Sequence, residues 1–389
     1  MRSQFTRPIR VAHVIQNLNY GGMERVLHLL ARGLTQRGFE VHIVVLQYYG
    51  QFAEGLEDSA MMHLAPPMSR LSLFRPRQLA GVLRAIAPDI AHSHTGVWLK
   101  GVRASRMAGV PAIVHTEHGR PDPVPLSDRL IDNLASRHTD VILAVSEALA
   151  EVLRSQVVHD SLRIRVITNG VDTERVKPLS DPSALRQQLG IPGGARVIGI
   201  VGRLEPIKNF QLAIKAFALL GPGRDDEPAP LLVIIGDGSE RARLEALAAD
   251  AGVAARVKFL GWRADAELLY GAFDLFTLPS RSEGTSISLL EAMSTGVCPV
   301  VTDVGGNGAV LGPTLAALMV PDDDADALAA AWARLLADRE LRETLGARAR
   351  IRVEQAFSIE RMVEEHVRLY CELAERTRTA GQIEPGAGR

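Results

Sequence analysis

Cysteine is scarce in this chain: two residues, Cys298 and Cys371, in 389. Cys298 sits in an apolar, strand-like run and Cys371 in an amphipathic, helical one. Neither context makes a disulfide framework or a metal knot, and both read as small core residues. Long apolar runs are lacking as well. Nothing reaches the roughly 18 consecutive apolar residues of a membrane-crossing helix, and Met1–Arg10 holds no apolar signal core, so a cytoplasmic protein is expected. A strong overall charge is the third absence: 44 basic against 45 acidic residues leave a net −1. Such a chain has no global field for nucleic acid, and no nucleic-acid partner is expected.

What is present is ordinary globular material, 47% hydrophobic and 23% charged, and enough of it for two or three domains. The charge is unevenly shared. Residues 1–190 carry 22 Lys and Arg against 17 Asp and Glu, which leaves 22 against 28 for the rest, and ten of the eleven histidines fall in the first part. A mildly basic N-terminal half suits an anionic membrane surface or a phosphate-bearing acceptor; scattered solvated arginines would look the same.

The pattern along the chain is βαβ, twice over. Residues 9–16 read as a buried strand, Asn17 to Gly22 as a turn, Met23 to Arg37 as a helix stopped by Gly38, and Glu40 to Gln47 as the next strand. Gly21 and Gly22 at the helix start allow close backbone approach to a ligand. The loop lacks a full G-x-G-x-x-G, so a dinucleotide cofactor is not expected. The strand from Asp89 carries His92 and His94, two residues apart and hence on one face. With no third ligand at a suitable spacing, they read as positioned side chains rather than a metal site. The strand Pro111 to Val114 leads into His115-Thr116-Glu117-His118-Gly119-Arg120. A polar cluster at the carboxyl end of a parallel strand is where open α/β sheets bind ligands. The proline-rich stretch Pro121 to Ser127 reads either as a lid or as a plain surface loop, and Ser146 as a helix cap.

After a linker-like Asp181 to Gly194, the second half opens with the strand Arg196 to Gly202. Arg203 and Lys208 then lie between a strand and a helix that Asn209 is expected to cap. Two cations there suit a diphosphate, the guanidinium as a bidentate fork and the ammonium as a point charge. Leu231 to Ile235 is a strand ending in Gly236-Asp237-Gly238, again open to close backbone approach. The organising stretch is Leu278 to Gly308. A strand stops at Pro279, the turn Ser280 to Gly284 carries Glu283, and Thr285 or Ser286 can cap the helix that follows. The start of that helix, at Gly284, Thr285 and Ser286, offers backbone N–H groups and a positive dipole end to an anion. Glu291, eight residues after Glu283, places a second carboxylate on the helix wall. Two acids beside an anion site suit a ligand with both hydroxyls and phosphates. Asp322-Asp323-Asp324 could be taken for a metal-binding D-x-D, but it follows a strand and precedes a helix. It is read as helix-start acids, and no metal is expected.

Glu283 and Glu291 form an E-x7-E pattern, Gly202 to Asn209 a G-R-L-x-x-x-K-N pattern, and Asn169 to Asp172 an N-G-V-D turn. On these motifs, and over nearly its whole length, the chain resembles the retaining, family 4 glycosyltransferases of the GT-B fold. The HTEHGR segment is similar to a bacterial subgroup that transfers sugars in exopolysaccharide synthesis. The resemblance implies an α/β protein of two doubly wound, Rossmann-like domains facing across a cleft. The first, residues 1–178, would take the acceptor, and the second, residues 179–358, a nucleoside-diphosphate sugar. A last helix, residues 359–376, would cross back onto the first domain, with 377–389 as a tail outside the fold.

By the same resemblance Arg203 and Lys208 bind the diphosphate, Glu291 accepts from the ribose hydroxyls and Glu283 from the hexose hydroxyls. His118 stands by the anomeric centre, Gly21 and Gly22 face the phosphates and the acceptor, and Gly236 and Arg263 lie by the nucleobase. Two departures bear on the donor sugar. Gly308-Ala309 stands where the family has Pro-Glu, and Gly284-Thr285-Ser286 where Gly-Phe-Gly is common. The expected reaction moves a sugar to a hydroxyl of a glycan or lipid-linked acceptor, with peripheral association at the inner membrane face. No cofactor is expected. An epimerase or phosphorylase on the same fold, or a non-catalytic nucleotide-sugar-binding protein, are the rival readings.

Overall fold

Runs such as RVAHVI and VIGIV are apolar on both faces of an extended chain, which suits parallel strands covered by helices on either side. The structure, a computed structural model, describes residues 7–19, 21–68, 70–73, 75–120, 123–158, 160–222 and 228–383. It divides into two compact units, Met1–Asn169 with Ile359–Arg389 and Gly170–Ser358.

The first unit holds a seven-stranded parallel sheet of β1 (Arg10–Ile15), β2 (Glu40–Val45), β3 (Met61–Leu64), β4 (Ile90–His94), β5 (Ala112–Glu117), β6 (Val141–Ala144) and β7 (Ile164–Val166). Its order is β3-β2-β1-β4-β5-β6-β7. The second holds six parallel strands, β8 (Val197–Val201), β9 (Leu231–Ile235), β10 (Val257–Gly261), β11 (Leu275–Leu278), β12 (Cys298–Thr302) and β13 (Met319–Val320), in the order β10-β9-β8-β11-β12-β13. In each sheet the order reverses once, between β1 and β4 and between β8 and β11. Ligands of open α/β sheets bind at such a switch point, outside the carboxyl ends of the strands.

Local chemistry explains most element ends. The helix Gly22–Thr35 buries Val26, Leu27, Leu30 and Leu34, and Gly38 follows it at φ 84°. Ser146 caps the helix Glu147–Gln156 by accepting the Leu149 N–H. Asp324 does the same for the helix Ala325–Ala337 through the Ala327 N–H, in keeping with helix-start acids. The last helix runs Ile359–Ile383, past the 376 read from sequence, and residues 384–389 lie outside the described residues. It packs on the first unit, where Gly33 leaves room for Val363: a Cβ there would stand 2.5 Å from Val363 Cγ2.

Other expectations need correction. The unit boundary falls at Asn169, ahead of residue 178, because Val171 N–H donates to Phe357 O and Ser294 Oγ to Val176 O, tying that segment to the second unit. Between β10 and β11 the chain forms two short 3-10 turns, Ala266–Leu268 and Tyr270–Ala272. The supposed linker contains a helix, Ser183–Gln188. Residues 121–122, the start of the proline-rich stretch, lie outside the described residues, as do residues 223–227. Among the described residues no helix is long and apolar enough to cross a membrane.

Candidate functional site

In the second unit the loops that leave β8 and β11 run side by side at the switch point, joined by Arg281 N–H donating to Ile207 O at 2.9 Å. Lys208 Nζ lies 2.6 Å from Glu283 Oε1, and Ser280 Oγ donates to the same oxygen at 2.6 Å. The Glu283 backbone is held as firmly as its side chain. Gly306 N–H donates to Glu283 O at 3.0 Å, and Gly305 sits at φ 51° with no room for a Cβ against that carbonyl. Thr302 Oγ1 donates to Ser280 O at 2.6 Å. The turn that carries the acid is thus pinned by β12 and by the two glycines after it.

Gly284, Thr285 and Ser286 are buried at the start of the helix Ile287–Ser294. Ser286 holds the N-cap position, yet its own side chain does not cap the helix; its hydroxyl lies 3.1 Å from Ser288 Oγ instead. That corrects the expected cap at Ser286, and the backbone N–H groups of a helix start suit an anion. Glu291 is buried in the same helix and accepts the Tyr270 O–H at 2.9 Å. Arg203 is exposed on the β8 loop and has no ion pair among the described residues.

The β9 loop lies flat on the Arg203 loop. Gly236 is at φ 136°, where a Cβ would collide with Gly202 O, and Leu204 N–H donates to Asp237 O at 3.0 Å. Arg263 makes a two-pronged pair with Asp265, 2.8 and 2.7 Å. Asn209 does not cap the helix Phe210–Leu219. It sits at φ 51°, and its Nδ2 donates to Asp323 at 2.9 Å.

In the first unit Gly21 precedes the helix Gly22–Thr35 with an extended backbone, and a Cβ there would collide with the Glu24 carboxylate. Tyr20 lies outside the described residues. The carboxyl ends of β4 and β5 gather histidines. His92 and His94 do share a face, their rings stacked at 4.6 Å. His92 is bonded to Tyr370 O–H and to Thr116 Oγ1, both at 2.6 Å. His94 is bonded to His13 and to His118, both at 3.0 Å. Nitrogens of His13, His92 and His94 come within 4.8 Å of one another, the spacing of a metal site. Both nitrogens of His92 and of His94 are already hydrogen-bonded, however, so this trio offers one open nitrogen, His13 Nε2, instead of a ligand set.

Burial holds these imidazoles neutral. It pushes His13 and His118 down to about 3 and His366 to about 4, with His92 and His94 well below the usual range. The loop that carries His118 is clamped by a buried acid. Glu117 accepts from Thr95 Oγ1 at 2.6 Å and pairs with Arg120, which reaches Asp132 at 3.0 Å. Thr95 Oγ1 in turn receives the His118 N–H at 2.8 Å. Burial alone would raise Glu117, but His115 and the Arg120 guanidinium bring it down to about 2.

Sequence reasoning passed over His13, Tyr270, His366 and Tyr370. His13 did leave a signal, since a histidine inside the apolar run VAHVI must find a buried partner. The tyrosines left none, because their partners are far away in the chain.

Residues 20–175 match the family described as Glycosyltransferase Family 4, and residues 181–352 the family described as Glycosyl transferases group 1. The chain is 28% identical to the Escherichia coli UDP-Gal:alpha-D-GlcNAc-diphosphoundecaprenol alpha-1,3-galactosyltransferase, over 94% of this chain and 97% of that protein. It is 30% identical to a D-inositol 3-phosphate glycosyltransferase of Jonesia denitrificans, over 94% of this chain and 93% of the other. Among solved structures, Anabaena HepE in complex with UDP and glucose matches with a TM-score of 0.82 at 24% identity, over 94% of this chain and 100% of that one. Sucrose-phosphate synthase from Thermosynechococcus elongatus matches at 0.79 and 21% identity, over 94% and 99%. Two parallel, doubly wound sheets, two family matches in tandem and full-length relatives agree: the chain belongs to the group 1, family 4 glycosyltransferases of the GT-B fold.

Proposed function

We propose that this glycosyltransferase moves a hexose from a nucleoside diphosphate to a hydroxyl of a glycan or lipid-linked acceptor, with the anomeric configuration retained. The observation that carries the donor assignment is the meeting of Lys208, Glu283 and the start of the helix Ile287–Ser294 at the β8–β11 switch point. An ammonium has three N–H donors, so Lys208 can hold Glu283 and still reach a phosphate. In this reading Arg203, Lys208 and the helix start after Gly284 neutralise the diphosphate as it leaves, where developing charge makes electrostatic help most effective. Glu291 accepts from the ribose and Glu283 from the hexose, Gly236 and Arg263 border the nucleobase, and Gly21, Gly22 and His118 act from the first unit. No residue is assigned as a covalent nucleophile; the acceptor enters on the face that the diphosphate leaves.

The Escherichia coli relative is named for a UDP-Gal donor and a diphosphoundecaprenol-linked acceptor, and HepE is described with UDP and glucose. Both favour a uridine donor, and the first favours a lipid-linked acceptor. A thermal-shift panel of UDP, GDP and ADP against wild type and Arg203→Ala/Lys208→Ala tests the donor site, since a ligand of the folded state raises its midpoint by mass action. A shift with one diphosphate that the double variant loses is expected; equal shifts in both proteins would overturn the assignment. Anomeric coupling in the product then tests retention, and product formation without acceptor would favour an epimerase.

A further inference from the structure

Three residues other than glycine take a left-handed backbone among the described residues: Ala87, Asn209 and Asp323. Ala87 follows the helix Arg77–Ile86 in the first unit, where a left-handed residue is a common stop. The other two lie in the second unit, 114 residues apart, and are bonded to each other. Asn209 Nδ2 donates to Asp323 Oδ1 at 2.9 Å. Such a backbone is costly for any residue with a Cβ, and it persists where the surroundings impose it, often beside functional sites.

Here the surroundings are the loops of the candidate donor site. Asn209, 2% exposed, directly follows Lys208 and precedes the helix Phe210–Leu219. Asp323 precedes the N-cap of the helix Ala325–Ala337, which packs on Phe210–Leu219. Arg281 Nη2 donates to both oxygens of the Asp323 carboxylate, at 2.9 and 3.0 Å, and Arg281 stands two residues before Glu283. The Arg281 guanidinium and the Asn209 amide draw the Asp323 carboxyl below its usual range, so it stays ionised and can only accept. The loop after β8 and the turn after β11 are thus joined twice by side chains. One link is Lys208–Glu283, and the other runs from Asn209 through Asp323 to Arg281, using their neighbours. The Asp323 side chain is 58% exposed, and an ion pair so open to water adds little stability. Strain held for so little stability points to geometry.

We propose that Asn209 and Asp323 are positioning residues of the donor site: their bond, continued to Arg281, sets the spacing between the Lys208 loop and the Glu283 turn that a diphosphate requires. The inference rests on the reading that Lys208 and Glu283 hold the donor.

The test is calorimetric titration of the full-length chain with UDP, GDP and ADP, beside thermal melting. Asp323→Gly removes the carboxylate and the strain together. Glycine takes this φ freely and water replaces an exposed pair, so the melting midpoint is expected to stay level or rise. Diphosphate affinity is nevertheless expected to fall about tenfold, because the binding groups are no longer held in place. Asp323→Asn tolerates the same backbone and keeps an oxygen for the Asn209 amide, so it should recover most of that affinity. Asn209→Gly breaks the bridge from its other end and should show the same split between level stability and weaker binding. Unchanged affinity in Asp323→Gly overturns the proposal and leaves the donor site standing. An affinity loss matched by a lower melting midpoint overturns it too, since the bridge would then be a structural brace. A wild type that binds none of the three diphosphates overturns the donor reading, and the proposal falls with it.

Discussion

The Lys208 ammonium stands 2.6 Å from the Glu283 carboxylate, joining loops that are 75 residues apart in the chain. The acid's side chain is 7% exposed, so removing the cation strands a nearly buried charge. Lys208→Met is expected to lose about 1–3 kcal/mol of stability and to raise the donor KM about tenfold or more. Adding Glu283→Gln removes the stranded charge. The double variant should regain stability in urea but not donor affinity. Undiminished donor binding by Lys208→Met would remove the lysine from the site.

Tyr270 O–H donates to Glu291 Oε2 at 2.9 Å inside the second unit. Tyr270→Phe keeps the packing and deletes the donor, at an expected cost of about 1.5–3 kcal/mol for a bond to a charged acceptor. If Glu291 accepts from the ribose, a carboxylate less well aimed weakens nucleoside diphosphate binding along with stability. Calorimetric titration of the variant measures that coupling. A lower melting point with unchanged diphosphate affinity would leave Tyr270 as core packing only.

Gly305 is a backbone requirement of the acidic turn. Its φ is 51°, and a Cβ would press on Glu283 O. Gly305→Ala combines left-handed strain with a backbone clash and is expected to destabilise by more than about 1 kcal/mol. The displaced turn takes Glu283 away from Lys208, so donor affinity should fall further than in Gly109→Ala. Gly109, also at positive φ (77°), stands in open space at a helix end of the first unit. Equal donor affinity in the two variants would show that the turn is not held by this glycine.

What could be read in the sequence was local. Strand and helix periodicity, glycine stops and the loops after β8 and β11 were legible because each is set by neighbours within a few residues. What was missed depended on distance along the chain. Asn209 has the chemistry of a cap, but Asp323, 114 residues later, takes its side chain. Alternation put His92 and His94 on one face, whereas their bonds to Tyr370 and His13 follow from helix docking and parallel strand order. Gly170 to Pro178 reads as the end of one domain until Val171 is seen bonded to Phe357.

The buried histidines make a prediction about acid. His13, His118 and His366 are held at about 3, 3 and 4 in the folded chain, against 6.5 when unfolded. Below pH 6.5 the unfolded state binds protons that the folded state refuses, so stability falls with pH until the folded values are reached. Each such group contributes a slope of up to about 1.4 kcal/mol per pH unit in that window. Glu117, lowered to about 2 from the ordinary 4.5, adds its own loss only below about pH 4.5. The interval from pH 6.5 to 5 therefore isolates the histidines. Urea midpoints should be level above pH 7.5, drop steeply below 6.5, and drop less in His13→Asn, which removes one titrating ring. Since all three rings belong to the first unit, tryptophan fluorescence from Trp98 should move before that of Trp262 and Trp332. A level midpoint from pH 7.5 to 5 would mean that these imidazoles are not held neutral.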